Sequence, residues 1–131
     1  MTKSCNYYKP YLTFTELSTL KEYVFQACTH AIGDSANRII SHAYANVLEG
    51  QNDLRWRIEH VQCISPEDIH VIKENNIIPS VQPTHATSDF SWAILRLGKE
   101  RLNNCYRYFF KCSDVFRFCW CRQSFKCPRR T

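Results

Sequence analysis

THAIGD (Thr29 to Asp34) and RIEHVQ (Arg57 to Gln62) are the two stretches that decide the fold, because each ends a short apolar run on a histidine. Turn-forming or helix-starting residues follow His30 and His60, which is typical of a strand that leads into a helix. In parallel α/β folds, ligands and metals bind at the carboxyl ends of the strands, where the loops converge. The two histidines are therefore the first candidates for a functional site.

The segments around these stretches alternate between helix and strand patterns. Thr13 and Glu16 have the spacing of a capping box, Asp34 is a good N-cap, and Pro66 suits the first position of a helix. The pattern predicts helices over residues 14–23, 35–48, 66–74 and 91–97, and strands over 24–29, 54–59 and 77–82. A polar loop, PTHATSD (Pro83 to Asp89), holds His85. Right-handed crossovers of this kind build parallel sheets, so we expect an α/β fold.

The length of the chain allows one domain. Its 131 residues are too few for a closed eight-stranded α/β barrel, which takes about 250 residues. We expect a disordered or cut start over residues 1–13, a folded body over 14–104 and a separate tail over 105–131. No apolar run approaches the roughly 20 residues that span a bilayer, and the first residues lack the pattern of a secretory signal. These features predict a cytoplasmic protein that does not enter a membrane.

Charge and cysteine content set the tail apart from the body. From Cys105 onward, seven Lys or Arg stand against one acid, Asp114, so the tail carries all of the net charge of +5 and the body is close to neutral. Binding to nucleic-acid phosphates needs a clustered basic face, and the body has none, so we do not expect the body to bind nucleic acid. Five of the eight cysteines also lie in the tail. Without a secretory signal we expect all eight to be reduced thiols.

The tail itself is irregular and rich in aromatic residues and cysteine, and three interpretations of it stay open. Cys119 and Cys121, with Cys112 and Cys127, could hold zinc, although structural sites more often use pairs separated by two to four residues. Aromatics interleaved with Arg and Lys could stack on single-stranded nucleic acid. The abrupt change in composition favours the third interpretation, in which the tail is an out-of-frame or mis-spliced extension.

Three segments, THAIGDSANRII, RWRIEHVQCISPEDI and IIPSVQPTHATSD, carry a family resemblance. They resemble consecutive segments of the amidohydrolase superfamily, in the amidohydrolase 3 or YtcJ-like branch, over about residues 14–104. The resemblance implies a (β/α)8 TIM barrel, of which this chain matches strands five to seven. It also implies metal-dependent hydrolysis of non-peptide C–N bonds in small amide, carbamate or formamide-like substrates.

The resemblance implies roles for three histidines. His30 and His60 match two of the family's metal-ligand positions, and the implied cofactor is a divalent metal, zinc above all, which suits neutral imidazole. His85 lies in a loop that would face the substrate, where it could contact the substrate or a developing oxyanion or play a structural part. Asp34 is more typical of a helix cap than of a catalytic acid. Glu59 could orient a metal-bound group, but pairing with a neighbouring arginine is favoured slightly.

The family's remaining metal ligands and its catalytic aspartate have no match in this chain, and the surroundings of Asp114 do not fit that aspartate. Two imidazoles without a third anchored ligand would hold a metal weakly. We therefore expect a truncated amidohydrolase unit that is inactive by itself. The alternative is a non-catalytic interaction module, which would self-associate through the exposed edges of its three-stranded sheet.

Overall fold

The computed structural model describes residues 13–82, 84–103 and 105. Helices and strands alternate along them, in the order α1 Phe14–Glu22, β1 Cys28–Ala31, α2 Asp34–Leu48, β2 Arg57–His60, α3 Pro66–Glu74, β3 Ile78–Val81, α4 His85–Ser88 and α5 Phe90–Leu97. Residues 99–103 are also helical. The strands form one sheet in the order β1-β2-β3, and both pairs are parallel. The predicted α/β class with three parallel strands is confirmed.

Helix starts follow the predicted signals at two of three places. At α1, the Thr13 hydroxyl accepts from the Glu16 backbone N–H at 3.3 Å, and the Glu16 carboxylate accepts from the Thr13 N–H at 2.8 Å, which completes the capping box. α3 begins at Pro66, with Ser65 as its N-cap residue. At α2 the prediction was wrong, because Gly33 is the N-cap and Asp34 is the first helical residue.

The strands begin later than predicted, and a residue with a left-handed φ precedes each of them. Val24 has a φ of 57°, and its N–H donates to the Lys21 carbonyl at the end of α1, so this residue closes the helix instead of opening β1. Arg55 has a φ of 60° two residues before β2, and Asn76 has a φ of 50° two residues before β3. The prediction of a polar loop around His85 was also wrong, since that residue begins the short helix α4.

The helices cover one face of the sheet. Side chains on this face are buried, and the largest fully buried side chains, Trp56 and Tyr44, lie in the same core with their ring centroids 4.8 Å apart. The Trp56 indole N–H donates to the Phe25 carbonyl at 2.9 Å, which fixes the chain between α1 and β1. Burial of two large aromatic rings contributes strongly to stability and sets the position of the strands.

The opposite face of the sheet is more open. Cys28 and His30 of β1 are exposed on it, and Arg57 and Glu59 of β2 are partly exposed. Residues that pair in register across parallel strands share a face, and the pairs Cys28 with Arg57 and His30 with Glu59 obey this rule. The sheet therefore has one apolar face packed on helices and one polar face that carries His30.

The expectation that all cysteines are reduced was wrong for two of them. Cys63, in the loop after β2, forms a disulfide with Cys105, and their Cα atoms are 4.3 Å apart. Cys105 is also buried, so the first residue assigned to the tail packs on the body. The other predictions for the tail, including the zinc cysteines and Asp114, lie outside the described residues. Among the residues that are described, no helix has the length and apolar character needed to cross a membrane.

Candidate functional site

His30 and His60 lie side by side at the carboxyl edge of the sheet. His30 is the third of four residues in β1, and His60 is the last residue of β2. Their ring centroids are 4.4 Å apart, with the ring planes inclined at 68°. The structure therefore brings together the two histidines that the sequence singled out.

Regular strand geometry alone would not produce this contact. His60 pairs in register with Ala31 and Val81, both of which are buried on the helix-covered face, whereas His30 lies on the open face. The backbone at His60 breaks the alternation, because its φ is +75°, in the left-handed region that few residues other than glycine occupy. Val61 follows with a φ of +39°. Strain of this kind costs about 1–3 kcal/mol per residue and is concentrated at functional sites.

His85 joins the pair from the third βα unit. Its ring centroid is 5.4 Å from that of His60, and its Nε2 atom is 3.2 Å from His60 Nδ1. Gln82, just after β3, places its Oε1 atom 2.8 Å from His60 Nδ1 and 2.7 Å from His85 Nε2. On its other side His85 donates from Nδ1 to Asp89 at 2.7 Å. We call His30, His60, His85, Gln82 and Asp89 the histidine cluster.

Electrostatics favour the metal-binding form of His60. Burial lowers the pKa of His60 below its usual range, and the hydrogen bond with Gln82 opposes this shift without cancelling it. The ring is therefore neutral at pH 7, which is the form that binds metals. The hydrogen bond from His85 lowers the pKa of Asp89, so that carboxylate is ionised.

Asn37 connects the two loops that carry the histidines. Its side chain is fully buried, and Nδ2 lies 2.8 Å from the carbonyl oxygen of Cys63, 2.9 Å from that of Gly33 and 3.1 Å from that of Ile32. Ile32 and Gly33 follow β1, and Cys63 follows β2. The amide thus ties together the segments just beyond His30 and His60.

The other candidate residues take structural parts. Glu59 pairs with Arg57 at 2.8 Å, which confirms the favoured interpretation of that carboxylate. Asp34 accepts a bidentate contact from Arg101, which donates from Nη2 to Oδ1 at 2.6 Å and from Nε to Oδ2 at 3.0 Å, so it links α2 to the helical residues 99–103. Gln82 and Asp89 were missed as site residues, although the i, i+4 spacing of His85 and Asp89 was a signal that could have found one of them.

The donor set fits two positions of a metal site. Neutral imidazoles suit Zn²⁺ and similar ions, and catalytic zinc sites take three protein ligands. Within residues 13–82, 84–103 and 105, no group of three or more His, Cys, Asp or Glu residues is arranged to hold a metal ion. His30 and His60 alone would make up only two positions of such a ligand set.

The chain is a parallel α/β unit with adjacent imidazoles at the carboxyl ends of its strands. Parallel α/β proteins as a class bind ligands at that edge of the sheet. Comparison with known proteins narrows this class. A family model described as the Amidohydrolase family matches residues 12–112, and the chain belongs to that family.

Two curated relatives are similar to parts of this chain. The chain is 40% identical over 78 residues to the Arabidopsis thaliana protein named "Protein LONG AFTER FAR-RED 3", covering 58% of this chain and 13% of the relative. It is 33% identical over 93 residues to the Bacillus subtilis (strain 168) protein named "Putative amidohydrolase YtcJ", covering 67% of this chain and 16% of the relative. The chain thus spans about a sixth or less of these relatives.

A solved structure has a similar fold over most of this chain. The crystal structure of an uncharacterized metal-dependent hydrolase from Pyrococcus furiosus superposes with a TM-score of 0.58 and 28% identity. The match covers 73% of this chain and 20% of that chain.

Proposed function

We propose that this chain supplies two metal-ligand histidines, His30 and His60, to an amidohydrolase-type site, and that it is inactive by itself. The observation that carries the proposal is the 4.4 Å contact between the two rings at the carboxyl ends of adjacent parallel strands. The left-handed backbone at His60 supports it, because strained backbone is concentrated at functional sites.

The proposed setting is a (β/α)8 barrel. In such a barrel the helices pack outside and the polar ends of the strands face a central site. The sheet has the matching asymmetry, with one face packed on helices and His30 on the other. The name of the Pyrococcus furiosus relative, a metal-dependent hydrolase, supports a divalent metal as the cofactor, and imidazole ligands favour zinc.

The proposed reaction is hydrolysis of a non-peptide C–N bond in a small amide, carbamate or formamide-like molecule. A divalent ion would polarise the carbonyl group and make water a better nucleophile near neutral pH. His30 and His60 would hold the ion as neutral imidazoles. His85, backed by the Asp89 carboxylate, could donate to the substrate or to the oxyanion that develops on it.

Inactivity of the isolated chain follows from the number of ligands. Two imidazoles leave a metal loosely held, and the described residues present no third ligand beside them. A metal bound so weakly would not be retained at the concentrations that support turnover.

Zinc titration by calorimetry tests the proposal. We expect weak binding to the full chain that falls by about 10-fold or more in His30→Ala and in His60→Ala, since loss of a ligand costs at least as much as loss of an outer partner. His70→Ala is the matched control, because His70 is exposed on α3. Equal affinity in all four proteins would refute the ligand assignment. Amide turnover by the wild-type chain that is lost in His30→Ala would refute the claim of inactivity.

The second candidate is a non-catalytic interaction module. Within the described residues, β1 and β3 each pair with a strand on one side only, and such edges are templates for another strand. Three large apolar side chains of α5, those of Phe90, Trp92 and Leu95, are also exposed. A monodisperse monomer in sedimentation velocity runs would count against this function, and a concentration-dependent dimer would favour it.

A further inference from the structure

Gln82 occupies a position between two imidazoles that the proposed reaction does not explain. Its Oε1 atom is 2.8 Å from His60 Nδ1 and 2.7 Å from His85 Nε2. Gln82 follows the last residue of β3, so the end of the third strand reaches back to the histidine at the end of the second. The contact with His60 involves the ring nitrogen on one side of the imidazole and leaves Nε2 on the other.

The chemistry of this contact selects a tautomer. An amide oxygen only accepts hydrogen bonds, so the nitrogen that faces it must carry a proton. A neutral imidazole has one N–H and one unprotonated nitrogen. A proton on Nδ1 therefore leaves the lone pair on Nε2. Metal-bound histidines commonly donate their second ring N–H to an oxygen in this way, which fixes both tautomer and ring orientation.

The opposite orientation of the amide predicts the opposite result. If the Gln82 NH₂ group faced the rings, it would donate to His60 Nδ1, and the proton of His60 would lie on Nε2. That tautomer cannot bind a metal through Nε2. The two orientations are thus distinguished by the position of a single proton.

We infer that Gln82 is a positioning residue, whose carbonyl oxygen accepts from His60 Nδ1 and holds His60 in the tautomer that offers Nε2 to a metal. This inference rests on the proposed function for its purpose, but the hydrogen bond and the tautomer can be measured without metal. The same oxygen also lies 2.7 Å from the Nε2 atom of His85, whose Nδ1 donates to Asp89.

The first test is NMR of the metal-free full chain with ¹⁵N-labelled histidine, with the His60 signals assigned by their loss in His60→Asn. We expect a protonated, pyrrole-type Nδ1 and an unprotonated, pyridine-type Nε2. Protonation at Nε2 in the wild-type chain would overturn the inference, whatever the variants show.

The second test compares three substitutions. Gln82→Leu removes the acceptor, and we expect loss of the tautomer preference together with about 10- to 100-fold weaker zinc binding. Gln82→Glu keeps an acceptor, so it should retain both. Gln51→Leu is the control. Among the described contacts, the Gln51 amide donates only to the carbonyls of Lys73 and Glu74, at the C-terminal end of α3.

The outcomes separate the two proposals. An unchanged tautomer and unchanged zinc affinity in Gln82→Leu would overturn the role of Gln82. The wild type could show the expected tautomer and Gln82→Leu could lose it, while zinc affinity stays unchanged in His30→Ala and His60→Ala. That result would support the role of Gln82 in the hydrogen bond and would overturn the proposed function.

Discussion

Two clusters in this molecule place histidine beside aspartate, and they differ in what surrounds the carboxylate. Arg38, His42, Ser65 and Asp68 form the first, which we call the α2–α3 cluster. The Asp68 side chain is 1% exposed and accepts from Arg38 Nε at 3.0 Å and 3.2 Å, from the Ser65 hydroxyl at 3.0 Å and from His42 Nε2 at 3.2 Å. The Arg38 guanidinium thus compensates the charge of the Asp68 carboxylate, and both residues lie on regular helices.

In the histidine cluster the carboxylate is peripheral and the imidazoles are central. Asp89 contacts only the outer nitrogen of His85 within that cluster, and His60 stands between His30 and His85 on a left-handed backbone. The two clusters therefore have similar residue types but different arrangements of charge and backbone. A buried carboxylate with a full set of donors stabilises packing, whereas the adjacent imidazoles on a strained strand end are the groups that we propose as metal ligands.

The largest effect that we expect on stability concerns Asp68. In Asp68→Ala, the packing of α2 on α3 loses its shared acceptor, and the free energy of unfolding should fall by about 2 kcal/mol because charged hydrogen bonds of a buried group are lost. Urea denaturation measures this change. Zinc affinity should stay at the wild-type value. A destabilisation no larger than that of Asp89→Ala would erase the contrast between the two clusters.

A smaller effect concerns the backbone at His60. The left-handed conformation costs an L-residue about 1–2 kcal/mol relative to glycine, so His60→Gly should be about 1 kcal/mol more stable than His60→Ala. Both variants lack the imidazole, so the comparison isolates strain. Denaturation of the two proteins under identical conditions gives the difference. A more stable alanine variant would show that His60 is not strained.

The smallest effect concerns the exposed counterpart of Asp68, the pair between Asp34 and Arg101. The hydrogen bond from Arg101 lowers the pKa of Asp34, so this carboxylate stabilises the folded state above its unfolded pKa of about 3.9. That contribution is lost as the pH falls below about 4 and through the lower folded pKa. Solvent screening limits it to about 0.5 kcal/mol. Stability curves of wild type and Asp34→Asn should converge at low pH, and a constant gap would contradict the assignment.

The sequence predicted the parts of the fold that local chemistry determines. The capping box at Thr13 and the proline at the start of α3 are read within a few residues, and both were confirmed. The two strand-end histidines were found for the same reason, because an apolar run followed by turn residues is a local pattern. The late start of β1 was missed, since the left-handed turn at Val24 has no sequence signal in a β-branched residue.

The parts that were missed depend on contacts between distant segments. Gln82 meets His60 across 22 positions, and Asn37 reaches Cys63 across 26. The Cys63 to Cys105 disulfide spans 42 positions. The contact between His30 and His60 depends on one backbone torsion, the positive φ of His60. Strict alternation of side chains along the strands would have placed the two rings on opposite faces of the sheet.

The most direct test of the central claim is X-ray absorption at the zinc edge on the full chain loaded with zinc. We expect two imidazole nitrogens at about 2.0–2.1 Å with oxygen in the remaining positions, and loss of the imidazole signal in the His30→Ala, His60→Ala double variant. Sulfur at about 2.3 Å, or an imidazole signal that survives in the double variant, would contradict it.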